Sequence, residues 1–352
     1  MANSAASILA TGQAIINEKY NKIEQRRKVP SVMQLAVQNQ DYSFPDIVAL
    51  RTSPLRPVEA YFRKNIAPGT DTTKSAFHQG SFGDTGAQVV NWISHVEKFG
   101  IPYKIGANNK FTQADQFANS LYMAMRNIED RQDNSALAFL ASAKCQLAAS
   151  VMNPQLAAAG LQSWSDTTLA LSIAQTDKLL FAQKIKSAMK SRFMGTEFDV
   201  IADIISMDNF RNQMNQGGSN AVNLAYQFVS GLTFTEAQIQ IDAAYPLGAV
   251  YVMPKGMLAG LCWNEQLNIT GLPNADLMNS VGQIGTMPSP FTPGLTYDIS
   301  MYVQRVDTSS NSTGGSPQDF VLQVEVTATV GYVTAPLSIS LDSSIMEIGL
   351  SS

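Results

Sequence analysis

Cysteine and histidine are nearly missing from this chain, with two of each in 352 residues. Cys145 and Cys262 both stand among apolar neighbours, which argues against a disulfide framework and fits a reducing compartment. Charge is scarce as well, at 15% of residues against the roughly one quarter usual in soluble proteins. Asn, Gln, Ser and Thr supply the missing polarity, and such a surface can be buried against other subunits at little desolvation cost. The formal net charge of -4 argues against a chain built mainly to grip nucleic acid. No apolar run approaches transmembrane length, and Met1-Ala2-Asn3-Ser4 lacks a basic leader region. The expectation is a soluble protein made in the cytoplasm, with no membrane partner.

Chemistry-bearing motifs are equally thin. There is no phosphate-cradling glycine loop, His-Glu-x-x-His, nucleophile elbow or calcium loop. His95-Val96-Glu97 resembles the start of a zinc-deaminase signature, but no Pro-Cys-x-x-Cys follows. Ser187-Ala188-Met189-Lys190 fits Ser-x-x-Lys, yet its companion motifs are absent and Lys190 belongs to a basic helix end. Asp199 and Asp203 would lie about 13 Å apart on a strand, so an acid/base pair there would need a helix. On a strand they face a polar interface or pair with lysines of the preceding segment. Trp92, Trp164 and Trp263 read as packing residues. The expected catalytic, cofactor-binding and metal residues are therefore none. An unrecognised hydrolase would have to rest on Ser187/Lys190 or His95/Glu97, and loss of an activity in Ser187→Ala would reveal it.

What is present is one very long helical pattern, from Thr112 to about Met152. Thr112 can cap it and Asp115 suits its first turn. Phe117, Leu121, Met125 and Ile128 form a stripe three to four residues apart, and Leu137, Leu140 and Leu147 continue an apolar second half. No Gly or Pro intervenes before Asn153-Pro154. Roughly 40 residues would make a rod about 60 Å long. Glu129-Asp130-Arg131-Gln132-Asp133-Asn134 reads as a wet middle, polar on every side. The alternative is two helices joined near Asp133-Asn134.

Around that rod the chain reads as excursions. Residues 1–50 combine an amphipathic segment, Arg26-Arg27-Lys28 and scattered apolar residues, too little to fold without lying along something else. The basic cluster is a solvated helix end or a contact for nucleic acid or an acidic partner. Val58–Phe62 and Val89–Val96 read as strands of a protruding hairpin with a long polar tip around Asp71–Ser75. A second helix is expected over about 166–193, then a buried strand over 198–205 and a short helix from Asp208 to Met214. Leu224–Phe228, Leu232–Phe234 and Ala249–Val252 are further strand candidates, while the apolar run Gly256–Trp263 has no definite form. Tyr297–Val306 and Phe320–Val333 alternate as a long hairpin in need of a surface to cover, and the long helix is the natural one.

This order of parts resembles the plan of HK97-fold major capsid proteins of tailed double-stranded DNA phages. Asn108–Gln146 is similar to their spine-helix region, and Gly231–Phe234 with Leu247–Gly256 to the strand and Pro-Lys-Gly passage of their axial domains. The resemblance implies an α+β fold with residues 1–50 as N-terminal arm and 51–101 as E-loop. It makes 102–153 and 291–336 the peripheral domain, 154–290 the axial domain, and 337–352 a C-terminal segment that returns toward the latter. It further implies a non-enzymatic subunit that assembles with itself, as pentamers and hexamers, into an icosahedral head in the host cytoplasm and then the virion. Portal, a separate scaffold or none, decoration proteins and non-specifically held DNA would be its partners. No motif supports carrying over the Lys–Asn cross-link of some relatives, for which Lys74 is the one tempting residue. An encapsulin-type nanocompartment shell is the alternative within the same fold.

Overall fold

The computed structural model describes residues 11–12, 14–16, 18, 31–40, 58–63, 85–102, 113–144, 161–163, 171–173, 189, 197–202, 232–236, 249–264, 283–306, 319–334 and 345–350. The long helix, α2, spans Gln113–Ala143 without interruption at Asp133-Asn134, so the two-helix alternative fails. Residues 145–152 and Cys145 lie outside the described residues.

Among the described residues, two six-stranded sheets accompany it. The first contains β1 (Val58–Arg63), β2 (Thr85–Pro102), β11 (Asp319–Thr334), β10 (Thr296–Val306) and β9 (Gln283–Pro288) in that order, with β8 (Leu258–Trp263) joining β11. Its pairings are antiparallel. The second runs β3 (Leu161–Ser163), β4 (Leu171–Ile173), β12 (Met346–Leu350), β7 (Ala249–Pro254), β5 (Phe198–Ala202), β6 (Leu232–Glu236), with β4–β12 and β5–β6 parallel. β8 and β9, inside residues 154–290, thus hydrogen-bond with the first sheet, while the C-terminal β12 lies in the second.

The period-two pattern of β11 explains how the first sheet holds the helix. Leu322, Val324, Val326, Ala328, Val330 and Tyr332 are all buried, and they share a core with Phe117, Leu121, Met125, Ile128 and Leu140 of α2. Ring pairs run along this seam: Phe99–Phe117 at 6.0 Å, Tyr122–Phe291 edge-on at 5.5 Å, and Phe139–Tyr332 at 6.0 Å. Each fully buried Leu, Met or Ile there contributes about 1.5–3 kcal/mol. On the opposite side of the sheet, Trp92 meets Trp263 at 6.3 Å across Gly331, where a Cβ would collide with Val90 and the Trp92 ring.

Two sequence expectations need correction, and one stretch left open acquires a form. Leu171–Ile173 is a strand, not part of a helix over 166–193, because Leu171 to Ile173 pair in parallel with Ile348–Leu350. Tertiary pairing there overrides a helical apolar spacing. The run 256–263 resolves into a turn and the buried strand β8. Ser31–Gln38 forms a helix, α1, whose Val32, Met33, Ala36 and Val37 are sealed in the core. What this part of the N-terminal stretch lies along is its own chain.

Candidate functional site

The stretch expected to be wet is the best-buried polar seam among the described residues. Glu129, Gln132 and Asp133 are each 0% exposed. A helix places residues three and four apart on one side, so polarity of composition did not mean polarity of surroundings. Each buried group is taken up by a different element.

Glu129 holds the turn between β9 and β10. It accepts hydrogen bonds from Tyr297 Oη at 2.5 Å, Ser289 Oγ at 2.7 Å and Thr292 Oγ1 at 3.4 Å. Ser289 Oγ in turn accepts from the Phe291 and Thr292 amides, at 3.1 and 3.0 Å. Gln132 ties two strands together, its Nε2 donating to Ile93 O on β2 and Ala328 O on β11, both at 3.0 Å. Tyr332 Oη donates back toward Gln132 O at 3.0 Å, and burial raises the phenol well above its usual range. Asp133 Oδ1 accepts from the Val32 and Met33 amides at 2.9 and 3.0 Å, capping α1 from another element.

His95 and Glu97, the motif-like pair, point at this helix and are separated in role. Glu97 forms an ion pair with Arg131, which also donates to Val96 O at 3.2 Å. Ser135 Oγ lies within hydrogen-bond distance of both Arg131 O, at 3.0 Å, and His95 Nε2, at 2.9 Å. Burial, then the neighbouring Arg131 charge, lower the His95 pKa from its ordinary value. The arrangement is a seam between strand and helix. Ser187, Lys190, Asp203, His78, Lys74, Trp164 and Arg26-Arg27-Lys28 lie outside the described residues.

Asp199, on β5, is 1% exposed. Its neighbours are the Gly256 amide, Lys255, Asn39 and Glu197, so the described positive partner is Lys255 of a later turn. Burial raises its pKa, against the pull of the Gly256 amide, Lys255 and Asn39. At the far end of α2, Lys144 forms an ion pair with Glu347 of β12, and Tyr251 Oη of β7 reaches Glu347 at 3.4 Å. Among the described residues there is no group of three or more His, Cys, Asp or Glu able to hold a metal ion, and no helix long and apolar enough to cross a membrane.

No protein-family model and no curated protein matches the chain. Solved structures similar to it include phage capsids. The capsid asymmetric unit of Cyanophage Pam1 gives a TM-score of 0.45 at 11% identity, covering 83% of this chain and 84% of that one. The capsid structure of Cyanophage P-SCSP1u gives 0.43 at 11% identity, covering 85% of each chain. A virus-like particle from Pyrococcus furiosus gives 0.37 at 9% identity, covering 90% of this chain and 97% of that one.

Proposed function

We propose that the chain is a structural, non-enzymatic shell subunit of the HK97-like kind, the major capsid protein of a tailed double-stranded DNA phage. The observation that carries this reading is the 18-residue strand β2. Residues 91–102 of β2 pair with β11 in the helix-backed sheet, and residues 85–90 change partner to β1. One strand therefore pairs with the helix-backed β11 at one end and with β1 at the other. A hairpin that leaves its own core needs a surface elsewhere, and many modest repeated contacts are what a closed shell requires. The order of parts, the low charge and the thin catalytic repertoire of the sequence support the same conclusion.

In this reading residues 1–50 are the arm, 51–101 the E-loop, 102–153 with 291–336 the peripheral domain, 154–290 the axial domain and 337–352 the returning C-terminal segment, with residues 91–101 of β2 and the strands β8 and β9 contributing to the helix-backed sheet of the peripheral domain. The subunit joins itself as pentamers and hexamers, assembles in the host cytoplasm and resides in the virion. It encloses DNA by non-specific contact, with portal, scaffold and decoration proteins as further partners.

Electron microscopy of the purified full-length chain, with and without residues 70–84, tests this. Closed shells from the intact chain, lost in a deletion that keeps its circular dichroism, are expected. An intact chain that never forms shells, or a deletion that forms normal ones, would overturn the reading. Small cages filled with a protein cargo would instead place the chain with nanocompartment shells.

A further inference from the structure

Helix α2 distributes its charges in the reverse of the ordinary surface helix, which keeps them on its outward side. Glu129 and Asp133 are sealed in the core, and Arg131 is taken up by Glu97 of β2. The side turned to solvent shows Met123, 43% exposed, together with the exposed Asn127 and Asn134. None of the charged residues of α2 is among its exposed ones. A neutral strip of Asn and Met is covered by another surface at little desolvation cost.

Two half-buried charges edge this strip. Arg126 and Asp130 stand four positions apart, one turn of helix and about 6 Å along the axis. At 3.6 residues per turn, Met123, Asn127, Asp130 and Asn134 fall within one arc of about 60°, with Arg126 at its rim. Arg before Asp is the weaker order for an ion pair within one helix. Among the described residues neither side chain has an ion pair or hydrogen bond, and Asp130 Oδ1 is buried with no hydrogen-bond partner. The contrast with Glu129 and Asp133, each met by several donors, is sharp. A partly desolvated acid and a partly desolvated guanidinium, each without its counter-charge, are stabilised when one is supplied.

The strip's own charges say what supplies it. One cation and one anion sum to zero, which gives a phosphate backbone nothing to hold and a strongly charged protein no complement. They are complementary to the same strip turned end for end. A two-fold axis level with Ile128 exchanges positions 126 and 130 and keeps both on the same rim, so each opposite-charge pair forms twice. We propose that this strip is an isologous contact between two copies of the chain, its helices antiparallel, with Arg126 of each copy paired to Asp130 of the other. The proposal rests on the shell reading for its second copy, and it names a contact that joins one subunit to the next.

Arg126→Asp and Asp130→Arg, made singly in the full-length chain, each set like charges against each other twice. Each should weaken association of subunits by about tenfold or more, with circular dichroism unchanged. The readouts are closed-particle yield by sedimentation and electron microscopy, and the self-association of dilute subunits. An equimolar mixture of the two variants restores both pairings and should recover association, whereas a pair made only within one helix gains nothing from mixing. Unchanged association in the single variants, or a mixture no better than either alone, would overturn the proposal. So would a loss in Arg126→Asp beside a gain in Asp130→Arg, which would put an acidic partner on this face. Should a reversal fail to fold, Asn127→Cys in a Cys145→Ser/Cys262→Ser background decides: a short bis-maleimide should link copies in pairs, and monomers alone would sink the contact. If the unaltered chain forms no closed particles, the shell reading falls, while dilute-subunit association and the cross-link still judge the contact.

Discussion

Glu129 and Asp199 are both acids sealed from water, 0% and 1% exposed, and their surroundings treat them differently. Glu129 sits where hydroxyls of Ser289, Thr292 and Tyr297 converge on its two oxygens. Asp199 receives a backbone amide, yet burial still raises its pKa and Oδ2 has no hydrogen-bond partner. The first acid organises a turn around itself, because neutral donors supply acceptor-matched bonds without a second charge to desolvate. The second sits at a joint between sheets and leaves part of its desolvation uncompensated. A buried carboxylate is thus a fastening at one place and a weak point at another, and the donor set decides which.

Glu129→Ala breaks this comparison most severely. It strands three hydroxyls at once and should cost about 3–5 kcal/mol, read as a fall in the urea midpoint. Tyr297→Phe and Ser289→Ala should each cost a fraction of that, with a double change short of additive. If Glu129→Ala shifts the midpoint no more than a surface substitution does, the three contacts are not holding the turn.

Asp133→Ala comes next, at about 1–2 kcal/mol, the usual worth of a helix N-cap. Hydrogen exchange should localise the loss: faster exchange at the Val32 and Met33 amides, with the centre of α2 still protected. Equal acceleration across α2 would mean that Asp133 supports the whole core rather than α1 alone.

The long helix was legible because Phe117, Leu121, Met125 and Ile128 keep a helical period with no breaker between them. The seam was not legible, since sequence gives the polarity of Glu129 and Gln132 but not whether water or a distant Tyr297 or Ile93 carbonyl meets them. The signal for α1 was present and missed. Val32, Met33, Ala36 and Val37 repeat at helical spacing just after Pro30, but Leu35 and the later Tyr42 and Phe44 blur the stripe. β9, Gln283–Pro288, carries Gly, Thr and Pro in six residues and has no strand signature of its own; pairing with β10 makes it one. Asp199 and Glu97 were singled out in the sequence as possible chemistry. Their partners, Lys255 and Arg131, lie 56 and 34 positions away, so no local motif could have disclosed a structural role.

The smallest effect should also be the one with the opposite sign. Burial raises the Asp199 pKa above the value it has in the unfolded chain. Below the ordinary aspartate range both states hold the proton and the side chain is buried neutral, at its least costly. As pH rises through the raised folded value, the folded state must carry the charge in a poorly solvated place, and that part of the stability is lost. Asp199→Asn keeps the shape and an acceptor for the Gly256 amide while removing the charge. It should therefore raise the melting temperature at neutral pH, and the gain should shrink to nothing as pH falls into the acid range. A loss of stability at neutral pH would mean that Lys255 and the Gly256 amide compensate the carboxylate more fully than burial penalises it. Asp199 would then belong with Glu129 as a fastening, and the contrast between the two acids would dissolve.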